Sequence, residues 1–182
     1  MTNKKQNPIG KGYVQVYTGN GKGKTTAALG LAFRAVGCGL KTYVGQFMKG
    51  RKYSELNAVK MTSDFITIEQ YGKKNFTYTK DPPDPENIKM AKSGLAKARA
   101  AMLSGKYNII ILDEINTAHY LRLITLDEML QFITDKPEGV ELVFTGRYAP
   151  QELIDAADLV TDMVEVKHYY KQGITSRKGI ED

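Results

Sequence analysis

Residues 18–25 combine glycine, lysine and threonine in a pattern that suits the binding of a phosphate chain. They read Thr-Gly-Asn-Gly-Lys-Gly-Lys-Thr, between an apolar stretch and a helical one. Glycines let backbone N–H groups converge on an anion, and the following helix directs its positive end at the same point. Lys24 would neutralise phosphate charge, and the Thr25 hydroxyl would ligate magnesium. We therefore predict an ATP site at Thr18, Gly19, Asn20, Gly21, Lys22, Gly23, Lys24, Thr25 and Thr26.

An acidic pair follows the most apolar stretch of the chain. Residues 107–112 read Tyr-Asn-Ile-Ile-Ile-Leu, and Asp113 and Glu114 come directly after them. Ligands of parallel α/β sheets bind at the carboxyl ends of strands, so this pair is predicted to complete a magnesium (or manganese) site with Thr25. The pattern leaves open which carboxylate contacts the metal directly and which acts through water.

Thr145-Gly146-Arg147 follows the next predicted strand, at the same edge of the sheet. The planar guanidinium of Arg147 suits phosphate, so Arg147 is predicted as a further ATP ligand. A solvated arginine in a surface turn explains the same residues equally well.

These segments require regular elements to position them. Apolar runs rich in β-branched and aromatic residues predict strands at 13–18, 41–47, 65–71, 107–112, 140–145 and 159–166. Helical patterns are found at 23–36, 84–105, 117–123, 126–134 and 150–156. Alternating strands and helices indicate an α/β fold: a single-domain P-loop NTPase-like structure whose mainly parallel central sheet carries helices on both faces. Residues 1–11 are expected to be a flexible polar N-terminus, and residues 12–182 the domain.

Composition narrows the class of protein. The 182 residues include one cysteine, no apolar run long enough for a membrane span, and no apolar core of a signal peptide, so we expect a cytoplasmic protein with no membrane partner. The net charge of +6 suits a polyanion. The basic residues gather near strand-end loops instead of forming a stripe with stacking aromatics, so no nucleic-acid partner is expected. An ATP-dependent nucleic-acid-binding protein remains an alternative.

Matching stretches extend over nearly the whole chain: residues 14–28, 46–50 with Glu55, 112–114, 145–147, 157–161, 167–168 and 179–181. Through them the chain resembles the P-loop corrinoid adenosyltransferases (ATP:cob(I)alamin adenosyltransferases). The usual phosphate-loop pattern begins with glycine where this chain has Thr18, and that departure belongs to the pattern of this family.

The resemblance implies transfer of the 5′-deoxyadenosyl group of ATP to the cobalt of a reduced corrinoid, cob(I)alamin or a precursor, with release of triphosphate. The pathway would be adenosylcobalamin synthesis or salvage. It also implies a homodimer that receives an electron from a reduced flavoprotein. Lys24 and Glu114 would act in catalysis by stabilising the departing triphosphate, Glu114 through the metal. Cob(I) cobalt carries no proton, so no general base is required.

An aromatic pair in the loop after the third strand is the last implied feature. By resemblance, Phe76 and Tyr78 would act on the corrinoid by displacing the lower axial ligand of cobalt, which eases its reduction. Many relatives carry tryptophan where this chain has Tyr78, and the effect of the smaller phenol is left open.

A second enzyme class fits the phosphate loop alone. A P-loop kinase or other phosphotransferase would attack the γ-phosphorus and would need a base for its acceptor hydroxyl, often with a mobile lid. The sequence offers no obvious candidate for either. Which corrinoid is preferred, and which reductase serves it, is not encoded in any motif.

Overall fold

Six parallel strands form one sheet in the computed structural model, which describes residues 9–76 and 82–181. The spatial order is β3-β2-β4-β5-β1-β6, and every adjacent pair of these strands is parallel. The carboxyl ends of all six strands therefore lie at one edge of the sheet. The strands are β1 Val14–Thr18, β2 Thr42–Phe47, β3 Ile66–Tyr71, β4 Ile109–Asp113, β5 Glu141–Thr145 and β6 Leu159–Asp162.

Helices connect successive strands, and two of them begin with side-chain caps. The carboxylate of Asp84 accepts from the N–H of Glu86 at 2.9 Å with Pro85 at the first helical position, as the sequence predicts. Thr125 and Glu128 form a reciprocal capping box. The helices are α1 Lys24–Val36, α2 Glu55–Ala58, α3 Pro85–Leu103, α4 Ile115–Tyr120, α5 Leu126–Thr134 and α6 Gln151–Ala156, with 3₁₀ turns at Val59–Thr62 and Tyr169–Gln172.

Both faces of the sheet are covered. Along β4, Ile110 and Leu112 join the core shared with α3, α4, α5 and α6, whereas Ile109 and Ile111 join the core beneath α1. The alternation follows from the two-residue period of a strand. The predicted α/β sheet with helices on both faces is confirmed. The two longest helices contribute buried apolar residues to these cores: Ala28, Ala32 and Ala35 of α1, and Ala91, Leu95, Ala98 and Met102 of α3.

Several boundaries differ from the sequence prediction, most of them by one or two residues, and two of the differences have a clear cause. Strand β6 ends at Asp162 and not near residue 166, because its partner β1 ends at Thr18, which is paired with Asp162. Beyond that point the N–H of Met163 donates to the carbonyl of Thr18 at 2.9 Å and the chain turns away. Helix α4 begins at Ile115, two residues earlier than expected, since Glu114 adopts a left-handed φ of 63° that turns the chain directly from β4 into the helix.

Parts of two predictions fall outside the described residues: residues 1–8 of the polar N-terminal segment, and Tyr78. Ile9, the first described residue, packs against the core on the α1 side. Among the helices of the described ranges, none is both long and apolar enough to cross a lipid bilayer.

The contact between α3 and β3 requires a glycine. A Cβ atom at Gly94 would lie 2.2 Å from the Cγ of Tyr71, so Gly94→Ala must displace the ring or the helix. We expect this variant to lose about 1–3 kcal/mol of unfolding free energy in urea denaturation. Gly30→Ala is the matched control: it lies within α1 with no neighbour within 4 Å of the added Cβ, and should gain about 0.5–1 kcal/mol. Equal stability of the Gly94→Ala variant and the native chain would contradict this packing.

Candidate active site

The carboxylate of Asp113 is the centre of a polar network at the carboxyl edge of the sheet. It is 1% exposed and accepts hydrogen bonds on both oxygens. Oδ1 accepts from the hydroxyls of Thr25 at 2.8 Å and Thr145 at 2.7 Å, and Oδ2 accepts from Lys49 Nζ at 2.8 Å and Gln46 Nε2 at 3.2 Å. These donors come from α1, β5, β2 and the loop after β2. One side chain thus connects three parts of the chain that are distant in sequence: the start of α1, the end of β5, and the end of β2 with the loop after it.

Charge neutralisation keeps Asp113 ionised. Burial by itself would raise its pKa, but the Lys49 ammonium and the hydrogen bonds from Lys49, Thr145 and Thr25 outweigh burial and hold the pKa below its usual value. Burial would likewise lower the pKa of Lys49, and the neighbouring Asp113 carboxylate reverses this, so the pKa of Lys49 is raised. The two groups form a largely buried ion pair.

Lys49 is surrounded by further groups from the segment after β2. The carboxylate of Glu55 lies 3.8 Å from Lys49 Nζ and accepts from Gln46 Nε2 at 3.0 Å. The ring of Tyr53 lies with its centroid 5.2 Å from the Lys49 ammonium. The amide oxygen of Gln46 accepts from Gln70 Nε2 at 3.1 Å. Two carboxylates and one ammonium therefore share this corner of the site.

Lys24 lies inside the glycine-rich loop. Its ammonium donates to the carbonyls of Gly19 at 2.6 Å and Gly21 at 2.7 Å, and the side chain is 7% exposed. Burial lowers its pKa, and the nearby Glu114 carboxylate opposes that shift. Gly23 has no side chain that could cap the N–H groups at the start of α1. These N–H groups, at the positive end of the helix, face the same loop, which is what an anion site requires.

The loop is supported by the residues that follow β6. The N–H of Gly21 donates to the carbonyl of Met163 at 2.6 Å. Gly19 has a φ of 92°, and a Cβ there would lie 2.1 Å from Oδ1 of Asp162. Any other residue at position 19 would be strained and would collide with β6. The glycines thus allow the loop to curve, and they also allow it to pass close to β6.

Thr18 contributes through its hydroxyl. The residue ends β1 and is nearly buried, and its Oγ1 accepts from the N–H of Ala149 at 3.3 Å. Threonine at this position therefore connects the phosphate loop to the loop after β5, a role that glycine could not fill.

Glu114 is turned toward α4. Its carboxylate accepts from the hydroxyl of Thr117 at 2.7 Å, and its backbone N–H donates to Thr145 Oγ1 at 3.0 Å. Burial raises the pKa of Glu114, and the neighbouring charge of Asp113 raises it further. Thr117 Oγ1 also accepts from the N–H of Arg147 at 3.1 Å, while the Arg147 side chain is exposed. The Thr145–Arg147 turn is thus joined to the start of α4.

The remaining predicted residues occupy different positions. Asn20, Lys22 and Thr26 are exposed at the surface of the loop and the first turn of α1. Phe76 is half-buried and packs against the core on the α3 side. The structure therefore brings Lys24, Thr25, Asp113 and Glu114 together. The side chains of Asn20, Lys22 and Thr26 stay exposed at the surface nearby.

A cavity of ≈ 240 Å³ opens beside this network. Thr25, Thr26 and Leu29 of α1 form one side, and Lys49 and residues 53–55 form the second. The third side is formed by residues 179–181. At roughly 30 Å³ per water molecule, the space holds about eight waters, which is a part of a nucleotide and not a whole macrocycle.

Several site residues had no assigned role at the sequence level. Gln46, Lys49, Glu55 and Thr145 stand in motifs recognised above, but only the folded chain shows that they contact Asp113 or each other. Gln46 and Thr145 share one feature that the sequence could have revealed: each lies at or next to the carboxyl end of a strand that neighbours β4. The strand register pairs Gln46 with Asp113.

The fold and the site define a class. A glycine-rich loop between β1 and α1, with its lysine and threonine beside an aspartate that ends β4, is the arrangement of a P-loop nucleotide-binding α/β protein. Residues 10–181 match the family model described as ATP:corrinoid adenosyltransferase BtuR/CobO/CobP. The chain belongs to that family.

Individual relatives agree with this assignment. The chain is 35% identical over 173 residues to a corrinoid adenosyltransferase of Pseudomonas aeruginosa, covering 94% of this chain and 84% of that one. It is 34% identical to one of Sinorhizobium sp, covering 94% and 80%, and 31% identical to one of Escherichia coli (strain K12), covering 94% and 86%. The family predicted from the motifs is confirmed, and with it the expectation of an ATP-dependent transferase that acts on corrinoids.

The position of Lys24 generates a direct test. Removing its ammonium should leave the fold intact, because its hydrogen bonds go to loop carbonyls and not to the core. Charge-assisted hydrogen bonds contribute about 1.5–3 kcal/mol, so Lys24→Ala should bind ATP about 10–100-fold more weakly in calorimetry. Lys41→Ala, an exposed lysine at the opposite edge of the sheet, should bind normally. Unchanged ATP affinity in Lys24→Ala would remove the loop from the site.

Proposed function

We propose that this protein transfers the 5′-deoxyadenosyl group of ATP to the cobalt of a reduced corrinoid and releases triphosphate. The observation that carries the proposal is the contact of Thr25 with buried Asp113 beside the Lys24 loop, in a chain of the ATP:corrinoid adenosyltransferase family. The site offers positive charge and N–H donors for a polyphosphate. We propose that this charge acts on the leaving group.

The bond changes define what the protein must supply. Cobalt in the cob(I) state provides an electron pair to the 5′ carbon of ATP, and the bond between that carbon and the α-phosphate oxygen breaks. The triphosphate leaves with both electrons of that bond, so negative charge develops at the phosphate loop. Preorganised positive groups assist most where charge develops in the transition state. Lys24 is buried there, and its ammonium now donates to two loop carbonyls that phosphate oxygens would replace.

The donor set also fits a magnesium ion. Thr25 Oγ1 and Asp113 Oδ1 are 2.8 Å apart and are oxygen ligands of the type that magnesium prefers, with Glu114 next in the chain. Thr25 and Asp113 would hold the ion, with Glu114 acting directly or through water, and phosphate oxygens and waters would complete its shell. When bound, it supplies positive charge to the triphosphate.

Lys49 is the second cation of the site. Its ammonium lies 2.8 Å from Asp113 Oδ2 and faces the cavity beside Thr25. A metal at Asp113 would compete with this ion pair, and we propose that Lys49 then turns to the substrate phosphates. The pKa of Lys49 is raised by Asp113, so Lys49 is protonated while the ion pair is intact.

The corrinoid side of the proposal rests on Phe76 and Tyr78, with Tyr78 outside the described residues. Phe76 lies in the segment that follows the carboxyl end of β3, the same edge of the sheet as Asp113. We further propose that the protein works as a homodimer in the cytoplasm and accepts cob(II) corrinoid with an electron from a reduced flavoprotein.

The role of Phe76 is separable from that of the phosphate loop. If Phe76 assists reduction, Phe76→Ala should slow turnover from cob(II)alamin with a reductase at least about tenfold more than turnover from prereduced cob(I)alamin, a difference of about 1.4 kcal/mol. Adenosylcobalamin formation is followed by absorbance in both assays. Phe33→Ala, an exposed aromatic on α1, serves as the control. Equal losses in the two assays would assign Phe76 to packing alone.

The atom of ATP that is attacked separates this proposal from a phosphotransferase. Attack at the 5′ carbon releases intact triphosphate, whereas attack at phosphorus releases ADP. We expect phosphorus NMR to show triphosphate formed in a one-to-one ratio with the cobalt–carbon bond, and only when reduced corrinoid is present. The appearance of ADP without triphosphate would refute the proposed function.

A further inference from the structure

One wall of the active-site cavity comes from a segment that contributes little to the core. Residues 177–181, here called the 177–181 turn, line the cavity through Gly179, Ile180 and Glu181. Residues 171–180 are all exposed. Ordering such a segment costs conformational entropy without recovering it through apolar burial, so some other interaction must hold the turn in place.

The carboxylate of Glu181 provides that interaction. It accepts from the backbone N–H of Arg177 at 2.7 Å, from Arg177 Nε at 3.2 Å and from Arg177 Nη2 at 3.0 Å. The hydroxyl of Tyr169 donates to the same carboxylate. The Glu181 side chain is 14% exposed, and the Arg177 guanidinium lies 4.9 Å from the centroid of the Tyr169 ring. A two-point arginine–carboxylate pair of this kind fixes geometry as well as adding attraction.

The Glu181 carboxylate carries its negative charge at neutral pH. Hydrogen bonds from Arg177, then from Tyr169, lower the pKa of Glu181 to about 2. The carboxylate is therefore ionised throughout the neutral range, and the cluster does not open by titration there.

Ile180 is the apolar member of the turn. Its side chain is 57% exposed although it borders the cavity, and Leu29 of α1 borders the same space. Thr25, Lys49 and Glu55 contribute polar groups to the cavity lining, whereas Ile180, Leu29 and the Tyr53 ring contribute apolar surface. Such a mixed lining suits a molecule that carries both phosphate groups and a flat ring.

We propose that the 177–181 turn is a wall of the active site, in which Ile180 contacts a flat ring face of a substrate and Glu181 positions the turn through Arg177 and Tyr169. This inference rests on the proposed function for the identity of the substrates. Both ATP and the corrinoid carry such a face, so the assay must distinguish them. Ile180 is a specificity residue in this scheme, and Glu181 acts only through the turn.

Steady-state kinetics test the contact. Ile180→Ala should raise the KM of one substrate about fivefold with little change in kcat, the scale expected for losing a few partly buried methylene contacts. A rise in KM for ATP assigns the face to the nucleotide, and a rise in KM for cob(I)alamin assigns it to the corrinoid. Lys178→Ala, an exposed residue of the same turn, is the control and should change neither value.

Hydrogen exchange tests the positioning role without substrates. Glu181→Ala should accelerate amide exchange in residues 25–29 at least about threefold while the melting temperature stays unchanged, because the turn and this part of α1 enclose the same cavity and the turn supports no core. Glu181→Gln keeps the shape of the carboxylate and should fall between Glu181→Ala and the native chain. Unchanged exchange in Glu181→Ala, together with unchanged KM values in Ile180→Ala, would overturn the proposal.

The two proposals fail in different ways. A native chain that forms no adenosylated corrinoid refutes the proposed function, yet the exchange comparison still decides whether Glu181 holds the turn at the cavity. If the native chain is active but the Ile180 and Glu181 variants match the Lys178→Ala control in both assays, only the proposal about the 177–181 turn is refuted.

Discussion

A buried carboxylate must be paired, and this requirement at Asp113 organises the carboxyl edge of the sheet. Transfer of an unpaired carboxylate out of water costs several kcal/mol, so a residue that is 1% exposed depends on its donors. Thr25, Thr145, Gln46 and Lys49 supply them from three separate segments. The donors are thereby held together at the carboxyl edge of the sheet, beside the start of α1. The interaction that keeps Asp113 ionised is the same one that assembles the site.

The two neighbouring acids of this network have different partners and different pKa shifts. Asp113 and Glu114 are adjacent in sequence, but the left-handed backbone at Glu114 sends their side chains to different partners. The pKa of Asp113 is lowered by Lys49 and the surrounding hydrogen bonds despite burial, whereas burial and the charge of Asp113 raise the pKa of Glu114. One acid is thus fixed as an anion and the other is poised closer to protonation. Two acids that are adjacent in sequence thus differ in the environment that sets their charge.

The phosphate loop depends on β6, the edge strand next to β1. Its glycines approach the backbone after β6 too closely for any side chain, and Gly21 donates to Met163 across that contact. The chain that leaves β6 continues to the 177–181 turn, which borders the cavity next to Thr25. The same stretch of chain therefore supports the loop from outside and forms a wall within the site. A chemistry that needs no general base can rely on such positioning, because holding the reactants in line lowers the barrier by itself.

The sequence alone determined the class of fold, the phosphate loop and the acidic pair. Those features depend on local chemistry: apolar runs of strand length, glycines that allow left-handed backbone, and a cap such as Asp84 before α3. The family followed from the same motifs. The tertiary structure decided the rest, because it depends on contacts between segments far apart in sequence. Gln46, Lys49 and Thr145 became site residues only when the strand order placed β2 and β5 on either side of β4. Glu181 reached the cavity near Thr25 for the same reason: no local pattern specifies which strand edge a distant turn will meet.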